Sequence, residues 1–183
     1  MVGPELRTRR LVLRPFARED AAAIAAILDV PDVGRYLLHV PKPYTDDDAV
    51  RWLTSWTRRW LLGRGAAFAI TRRGRLCGAI TLAVSRVHKR GELGYWLGPD
   101  DWGDGLATEA AAAVLDWGFR DQGLMRIHAQ YLDDNRASGR VLEKIGMLRE
   151  GVRRAHIKKG KRLLDAHQYG VLRQEWEARW QDK

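Results

Sequence analysis

Seven short stretches of the chain have the apolar pattern of β-strands. The clearest is the segment around Leu93, Tyr95 and Leu97, where these residues alternate with different side chains at a period of two. Two pairs of stretches are joined by short turns, Arg73-Gly74-Arg75 and residues 158–161, which predicts two hairpins. The predicted strands are residues 11–14, 67–70, 76–84, 93–97, 124–131, 148–152 and 163–172.

Helical signals lie between these strands. Thr45 and Asp48 have the spacing of a capping box, and Gly146 ends a later helix. The predicted helices are residues 21–28, the segment after Thr45, the alanine-rich segment from Leu106, residues 139–145 and residues 174–180. Because hairpins exclude a wholly parallel sheet, this order predicts an α/β fold with a mixed sheet.

Composition narrows the class of protein. The chain has 183 residues, which predicts one domain over residues 1–183. Its single cysteine, Cys77, fits a reducing cytosol, so we expect a cytoplasmic protein. No apolar run has the length of a membrane span, and no nucleic-acid-binding signature is present. A net charge of +9 predicts attraction to phosphates or acidic partners.

A glycine-rich turn over residues 102–108 connects the strand at 93–97 to the alanine-rich helix. Gly103 and Gly105 let the backbone bend tightly and allow a ligand to approach it. The amides of such a turn have no intrahelical partners, and the helix dipole favours negative charge there. The turn therefore predicts a phosphate or pyrophosphate site. It lacks the lysine of a Walker loop, and Thr108 replaces the third glycine of a dinucleotide fingerprint.

The spacing Trp102-x-x-Gly105-x-Ala107 resembles the pyrophosphate loop of the GNAT superfamily, the acetyl-CoA-dependent N-acetyltransferases. A second stretch, from Asn135 through Ser138 to Gly146, is similar to a signature of the RimJ/RimL-type branch. Gly94-Tyr95-Trp96-Leu97 before the turn also resembles that branch, and the similarity extends over residues 11–172. The resemblance implies the GNAT fold, in which a splayed central sheet has helices on both faces.

The resemblance also implies where acetyl-CoA binds. The backbone of the bulged, splayed strand at 95–97 would pair with the pantetheine arm and the acetyl carbonyl. The turn would hold the pyrophosphate, and residues 135–144 would line the other side of the arm. No metal is expected. The residues so assigned to acetyl-CoA are Tyr95, Trp96, Leu97, Trp102, Gly103, Asp104, Gly105, Leu106, Ala107, Thr108, Asn135, Ser138, Arg140 and Lys144.

Three positions depart from the family pattern. Trp102 stands where Gln or Arg is usual, and Leu142 stands where many members have the tyrosine that protonates the leaving thiolate. RimL-type enzymes use a serine for that role, which matches Ser138. In this chain His156 occupies the position that matches their catalytic glutamate, so His156 is one candidate base. Glu92, at the start of the splayed strand, is the other.

The resemblance implies acetyl transfer to a primary amine, with the N-terminal α-amine of a protein, as in ribosomal-protein acetyltransferases, as the expected acceptor. An α-amine of pKa near 8 is partly neutral at pH 7, whereas a lysine of pKa near 10.4 costs about 4.6 kcal/mol to deprotonate. The alternatives are transfer to a small amine, such as an antibiotic or a polyamine, and a CoA-binding module without activity. The sequence leaves open whether two copies form a homodimer.

Aromatic residues and a histidine near the predicted acceptor side have two interpretations. Trp52, Trp56 and Trp60 share one face of the helix after Thr45, which predicts an aromatic stripe packed on the core. The alternative is that one of them forms a wall of the acceptor groove. His39, in a proline-rich segment, is expected in that groove or on the surface.

Overall fold

One mixed sheet of eight strands organises the part of the chain that the computed structural model describes, residues 3–38, 40–133 and 135–181. His39 lies outside these residues. The strands are β1 (Leu6–Arg7), β2 (Val12–Pro15), β3 (Gly65–Arg72), β4 (Arg75–Ser85), β5 (Arg90–Leu97), β6 (Arg126–Leu132), β7 (Leu148–Lys159) and β8 (Arg162–Leu172). The helices are α1 (Ala21–Leu28), α2 (Pro31–Gly34), α3 (Asp46–Leu61), α4 (Leu106–Arg120), α5 (Arg136–Lys144) and α6 (Arg173–Gln181).

The sheet opens between β5 and β6. The strand order is β1-β2-β3-β4-β5-β6-β8-β7, and β5–β6 is the parallel pair in an otherwise antiparallel sheet. These two strands pair over Arg90–Glu92 and Arg126–His128, although β5 continues to Leu97 and β6 to Leu132. The splay is thus confirmed. The bulge that the resemblance implies does not appear in the β4–β5 pairing, whose register is unbroken.

Helices cover both faces of the sheet. On one face, α4 and α5 bury Leu106, Val114 and Leu142 in a cluster with strand residues such as Ile80 and Leu93. On the other face, α1 and α3 form a second buried cluster. The mixed α/β architecture predicted from the sequence is confirmed. In the described chain no helix is both long and apolar enough to cross a membrane.

The aromatic stripe of α3 packs as core. Trp52 makes an edge contact with Phe16 at a ring separation of 5.3 Å, and Trp60 stacks on Trp117 at 6.4 Å. The core interpretation is confirmed for these two residues. The helix begins as predicted, with the Thr45 side chain accepting from the Asp48 amide.

Several predicted boundaries are wrong. Neither β1 nor α2 was expected, because segments of two and four residues carry too little periodicity to be recognised. β7 runs to Lys159, well beyond residue 152. Helix α5 starts at Arg136 instead of 139, since the Asn135 side chain caps it by accepting from the Ser138 amide at 3.1 Å. Ser138 therefore lies in the first turn of a helix and not in the preceding loop.

Candidate active site

The N-terminus of α4 is open towards solvent. The helix starts at Leu106, and its N-cap is Gly105, which has no side chain to cap the helix and adopts φ 74°. The amides of Leu106, Ala107 and Thr108 cannot bond within the helix, because the first turn has no preceding carbonyls to use. Together with the helix dipole, these donors can bind an anionic group such as phosphate.

Ion pairs from distant parts of the chain fix the glycine turn. Arg10 contacts Glu109 in the first turn of α4 at 2.6 Å and donates to the Asp104 carbonyl at 3.0 Å. Arg75 makes two hydrogen bonds, of 2.7 and 3.0 Å, to the buried carboxylate of Asp101. A bidentate contact fixes the relative orientation of the two side chains as well as adding an attractive charge interaction. The turn is therefore held in place before a ligand binds.

A cavity of about 660 Å³ extends from this turn along the opening between β5 and α5. That volume is within the range of small-molecule and cofactor sites. The segment around α2 also contributes to the lining. The lining residues are Val33, Tyr36, Leu37, Tyr95, Trp96, Leu97, Asp101, Trp102, Gly103, Gly105, Leu106, Ala107, Thr108, Asp133, Asn135, Arg136, Ala137, Ser138, Arg140, Val141 and Lys144.

The structure brings nearly all the residues expected to bind acetyl-CoA to this one cavity. Asp104 differs: it does not line the cavity, and its side chain is 56% exposed and pairs with Arg72 at 3.1 Å. Its carbonyl, which accepts from Arg10, makes it part of the support of the turn. The binding roles of the lining residues stay predictions. They are Tyr95, Trp96, Leu97, Trp102, Gly103, Gly105, Leu106, Ala107, Thr108, Asn135, Ser138, Arg140 and Lys144.

Trp102 is fixed at the rim of the cavity. Its indole N–H donates to the Leu97 carbonyl at 2.9 Å, and 45% of the residue remains exposed. This bond ties the start of the turn to the last residue of β5. At this position, where the family usually has Gln or Arg, the indole instead makes a hydrogen bond to the end of the strand.

Ser138 lies half-buried beside β5 in the same cavity. Its Oγ is 2.7 Å from the Tyr95 hydroxyl, and its carbonyl oxygen is 3.1 Å from the same hydroxyl. Burial raises the pKa of Tyr95 to about 12, although the contact with Ser138 acts in the opposite direction. The phenol is therefore protonated at physiological pH and can act as a hydrogen-bond donor.

The two candidate bases do not line the cavity. Glu92 is exposed and aligns with His128 in the parallel pairing, three residues before Tyr95 and hence about 10 Å away along the strand. His156 is also exposed, in the stretch where β7–β8 pairing is interrupted after Arg153. Strand position alone could not reveal either placement. Their catalytic roles stay predictions.

Some of the cavity lining was missed by the sequence analysis. The α2 segment contributes Val33, Tyr36 and Leu37, and its proline-flanked irregularity was the only signal of a functional role. Asp133 lines the cavity too, with its carboxylate 2.6 Å from Nε2 of His167. These residues come from separate parts of the chain, and only folding places them together.

Cys77 takes no part in the cavity. It is fully buried, and burial together with the nearby carboxylate of Asp101 raises the pKa of its thiol to about 11. The thiol is therefore protonated at neutral pH and is a poor nucleophile.

Comparison with known proteins gives a consistent result. Residues 10–148 match the model of the acetyltransferase (GNAT) domain family. The chain is 33% identical over 173 residues to the uncharacterized N-acetyltransferase YoaA of Bacillus subtilis, covering 93% of this chain and 97% of that protein. It is 26% identical over 171 residues to the putative ribosomal N-acetyltransferase YdaF of the same organism, covering 91% and 93%.

A solved structure shares the fold. RimL, a ribosomal L7/L12 α-N-protein acetyltransferase in complex with coenzyme A, superimposes with a TM-score of 0.86 at 17% identity. The alignment covers 92% of this chain and 98% of that one. With the family match over residues 10–148 and the open helix N-terminus beside a splayed strand, the chain belongs to the GNAT family and is an acetyl-CoA-dependent N-acetyltransferase.

Proposed function

We propose that this chain transfers the acetyl group of acetyl-CoA to the N-terminal α-amine of an acidic protein or peptide. The pyrophosphate binds the free amides of the glycine turn at the start of α4, and the pantetheine arm lies in the opening between β5 and α5. The cavity that joins these two features supports this placement.

The chemistry needs few protein groups. The neutral acceptor nitrogen forms a bond to the acetyl carbon, the C–S bond breaks, and the electron pair of that bond goes to sulfur as thiolate. The backbone of β5 offers donors to the oxyanion, and Ser138 donates a hydrogen bond to the thiolate. Because neither Glu92 nor His156 lines the cavity, the acceptor proton leaves to water.

The charge of the cavity lining carries the choice of acceptor. Of the three cationic residues that line it, Arg140 and Lys144 are assigned to acetyl-CoA and Arg136 is not. Both carboxylates in the lining already have partners: Asp101 pairs with Arg75, and Asp133 contacts His167. A polyamine carries several positive charges and needs unpaired acidic groups in its site. An α-amine at the end of an acidic peptide matches this balance of charge better.

The acidic run at the start of α3 supplies no polyamine site in this cavity. Asp48 is engaged in the capping box with Thr45, and an ion pair joins it to Arg51. Asp46 and Asp47 lie in the same first helical turn, where negative charge complements the helix dipole. None of the three lines the cavity.

Relatives with known or suggested acceptors point in two directions. The name of YdaF suggests a ribosomal acceptor. In contrast, the spermidine N(1)-acetyltransferase of Escherichia coli is 27% identical over 141 residues, which cover 76% of this chain and 73% of that protein. These identities are similar, so the cavity charge and not the degree of similarity supports our choice. Transfer to a small amine is the alternative function.

The test of this proposal uses one acidic peptide with a free N-terminus and one internal lysine. We expect acetylation at the N-terminus only, because that amine is partly neutral at pH 7 and the lysine is not. Mass spectrometry locates the acetyl group, and the same peptide with a blocked N-terminus is the control. Lysine acetylation of the blocked peptide at a comparable rate would contradict the proposal, and faster turnover of spermidine would favour the alternative.

The pH dependence of the reaction provides a second prediction. We expect kcat/KM to rise with pH through the pKa of the acceptor amine, near 7.7 to 8. Glu92→Gln and His156→Ala should leave this rise in place, since both side chains are exposed and outside the cavity lining. Activity measured from pH 6 to 9 in all three proteins tests this. Loss of the ascending limb in one variant would identify that residue as the base.

A further inference from the structure

The hydroxyl of Tyr95 bridges the gap where the sheet opens. β5 and β6 have stopped pairing after Glu92 and His128, so the strand is free of its neighbour at Tyr95. The phenol extends to the first turn of α5, where its oxygen is 2.7 Å from Oγ of Ser138 and 3.1 Å from the Ser138 carbonyl oxygen. The cavity is lined by both residues.

The direction of the hydrogen bond between the two hydroxyls decides what Ser138 can do. If the serine donates to Tyr95, its only proton is used and cannot reach the leaving sulfur. If Tyr95 donates to Oγ, the serine proton is free to turn into the cavity. The 2.7 Å contact is at the usual length for a bond between hydroxyls, whereas 3.1 Å to the carbonyl is beyond the usual range.

We propose that Tyr95 is a positioning residue that donates to Oγ of Ser138 and thereby directs the serine proton to the departing thiolate. The inference rests on the role of Ser138 in the proposed function and adds a residue to it. Negative charge that develops on sulfur strengthens the bond from Ser138, which in turn strengthens the bond from Tyr95. No proton needs to leave the pair, because the thiolate is stabilised by hydrogen bonding.

Two properties of Tyr95 suit it to this role. Its phenol is protonated throughout the working range of pH, because burial raises its pKa to about 12. Its ring packs against the buried cluster beneath α4 and α5, which fixes where the hydroxyl lies. Tyr95→Phe retains that ring and removes only the oxygen, so it is a suitable probe of the hydrogen bond.

A double-mutant cycle tests the coupling directly. We expect Tyr95→Phe to lower kcat roughly three- to tenfold, the usual effect of losing one such hydrogen bond, without a comparable change in the Kd of acetyl-CoA. In the Ser138→Ala background the same substitution should change kcat less than about twofold, since Tyr95 acts through the serine. Equal effects in both backgrounds, or no effect in either, would overturn the inference.

The matched control is Tyr169→Phe. Tyr169 also extends from a strand to α5, where its hydroxyl donates to Glu143 at 3.0 Å, away from Ser138. If Tyr95 merely anchored the helix, both substitutions would lower kcat alike, so we expect Tyr169→Phe to leave kcat within about twofold. If Ser138→Ala itself leaves kcat unchanged, the role of the serine fails and this inference with it. Additive effects would defeat only the inference.

Discussion

Gly105→Glu is expected to abolish binding of acetyl-CoA. In the wild-type protein, ligand at 100 times its Kd should stabilise the fold by about 2.7 kcal/mol, or roughly 5 to 10 °C in Tm. The substitution places a carboxylate beside the free amides of α4, where the pyrophosphate is proposed to bind. Repulsion and lost space should raise Kd at least about 100-fold and remove the shift, which thermal unfolding with and without acetyl-CoA measures.

Backbone strain at residue 105 needs its own control, since φ is 74° there and side chains disfavour this region. Gly74 has φ 80° in the β3–β4 turn, and a Cβ there would meet no atom within 4 Å. Gly74→Glu should therefore carry a similar strain and the same charge and still show the full stabilisation by acetyl-CoA. An undiminished shift in Gly105→Glu would show that the cofactor binds elsewhere.

Ser138→Ala is expected to lower kcat by roughly ten- to a hundredfold. A hydrogen bond to a charged group contributes about 1.5 to 3 kcal/mol, which corresponds to roughly ten- to a hundredfold in rate when the charge develops in the transition state. Leu142, at the usual tyrosine position, is buried and apolar, so it cannot replace the lost donor. Steady-state kinetics together with a separate Kd for acetyl-CoA distinguish chemistry from binding.

The control for this substitution is Ser55→Ala. Ser55 lies on α3, where its hydroxyl donates to the Trp52 carbonyl, and it does not line the cavity. Its removal should leave kcat unchanged. If Ser138→Ala weakens acetyl-CoA binding and spares kcat, Ser138 holds the cofactor and does not assist the leaving group.

Local patterns predicted the residues that form the glycine-turn end of the cavity. The free amides of the glycine turn depend on Gly103, Gly105 and the helix that follows, all contiguous in sequence. A mixed sheet could likewise be inferred from the order of hairpins and helices. Within this segment only Asp104 differs, because its partners Arg10 and Arg72 come from distant strands and turns.

The cavity lining outside residues 95–108 and 135–144 could not be predicted because it is assembled from remote segments. Val33 and Tyr36 belong to a short helix and its flank without clear periodicity, and Asp133 lies at a strand end whose His167 partner comes from β8. Ser138 lies in α5 and not in the preceding loop, because Asn135 caps the helix and α5 begins at Arg136. Such placements follow from tertiary contacts, which the periodicity of apolar and polar residues along the chain does not encode.

The central claim is that acetyl-CoA occupies the cavity from the glycine turn along β5. Hydrogen–deuterium exchange with mass spectrometry, with and without acetyl-CoA, measures this most directly, because bound phosphate and pantetheine should protect amides that are free in the unliganded protein. We expect slower exchange in peptides that cover residues 94–97 and 103–108, and no change in the β7–β8 turn around Gly160. Saturating acetyl-CoA that leaves the 103–108 peptide unprotected, or protects only other segments, would contradict the claim.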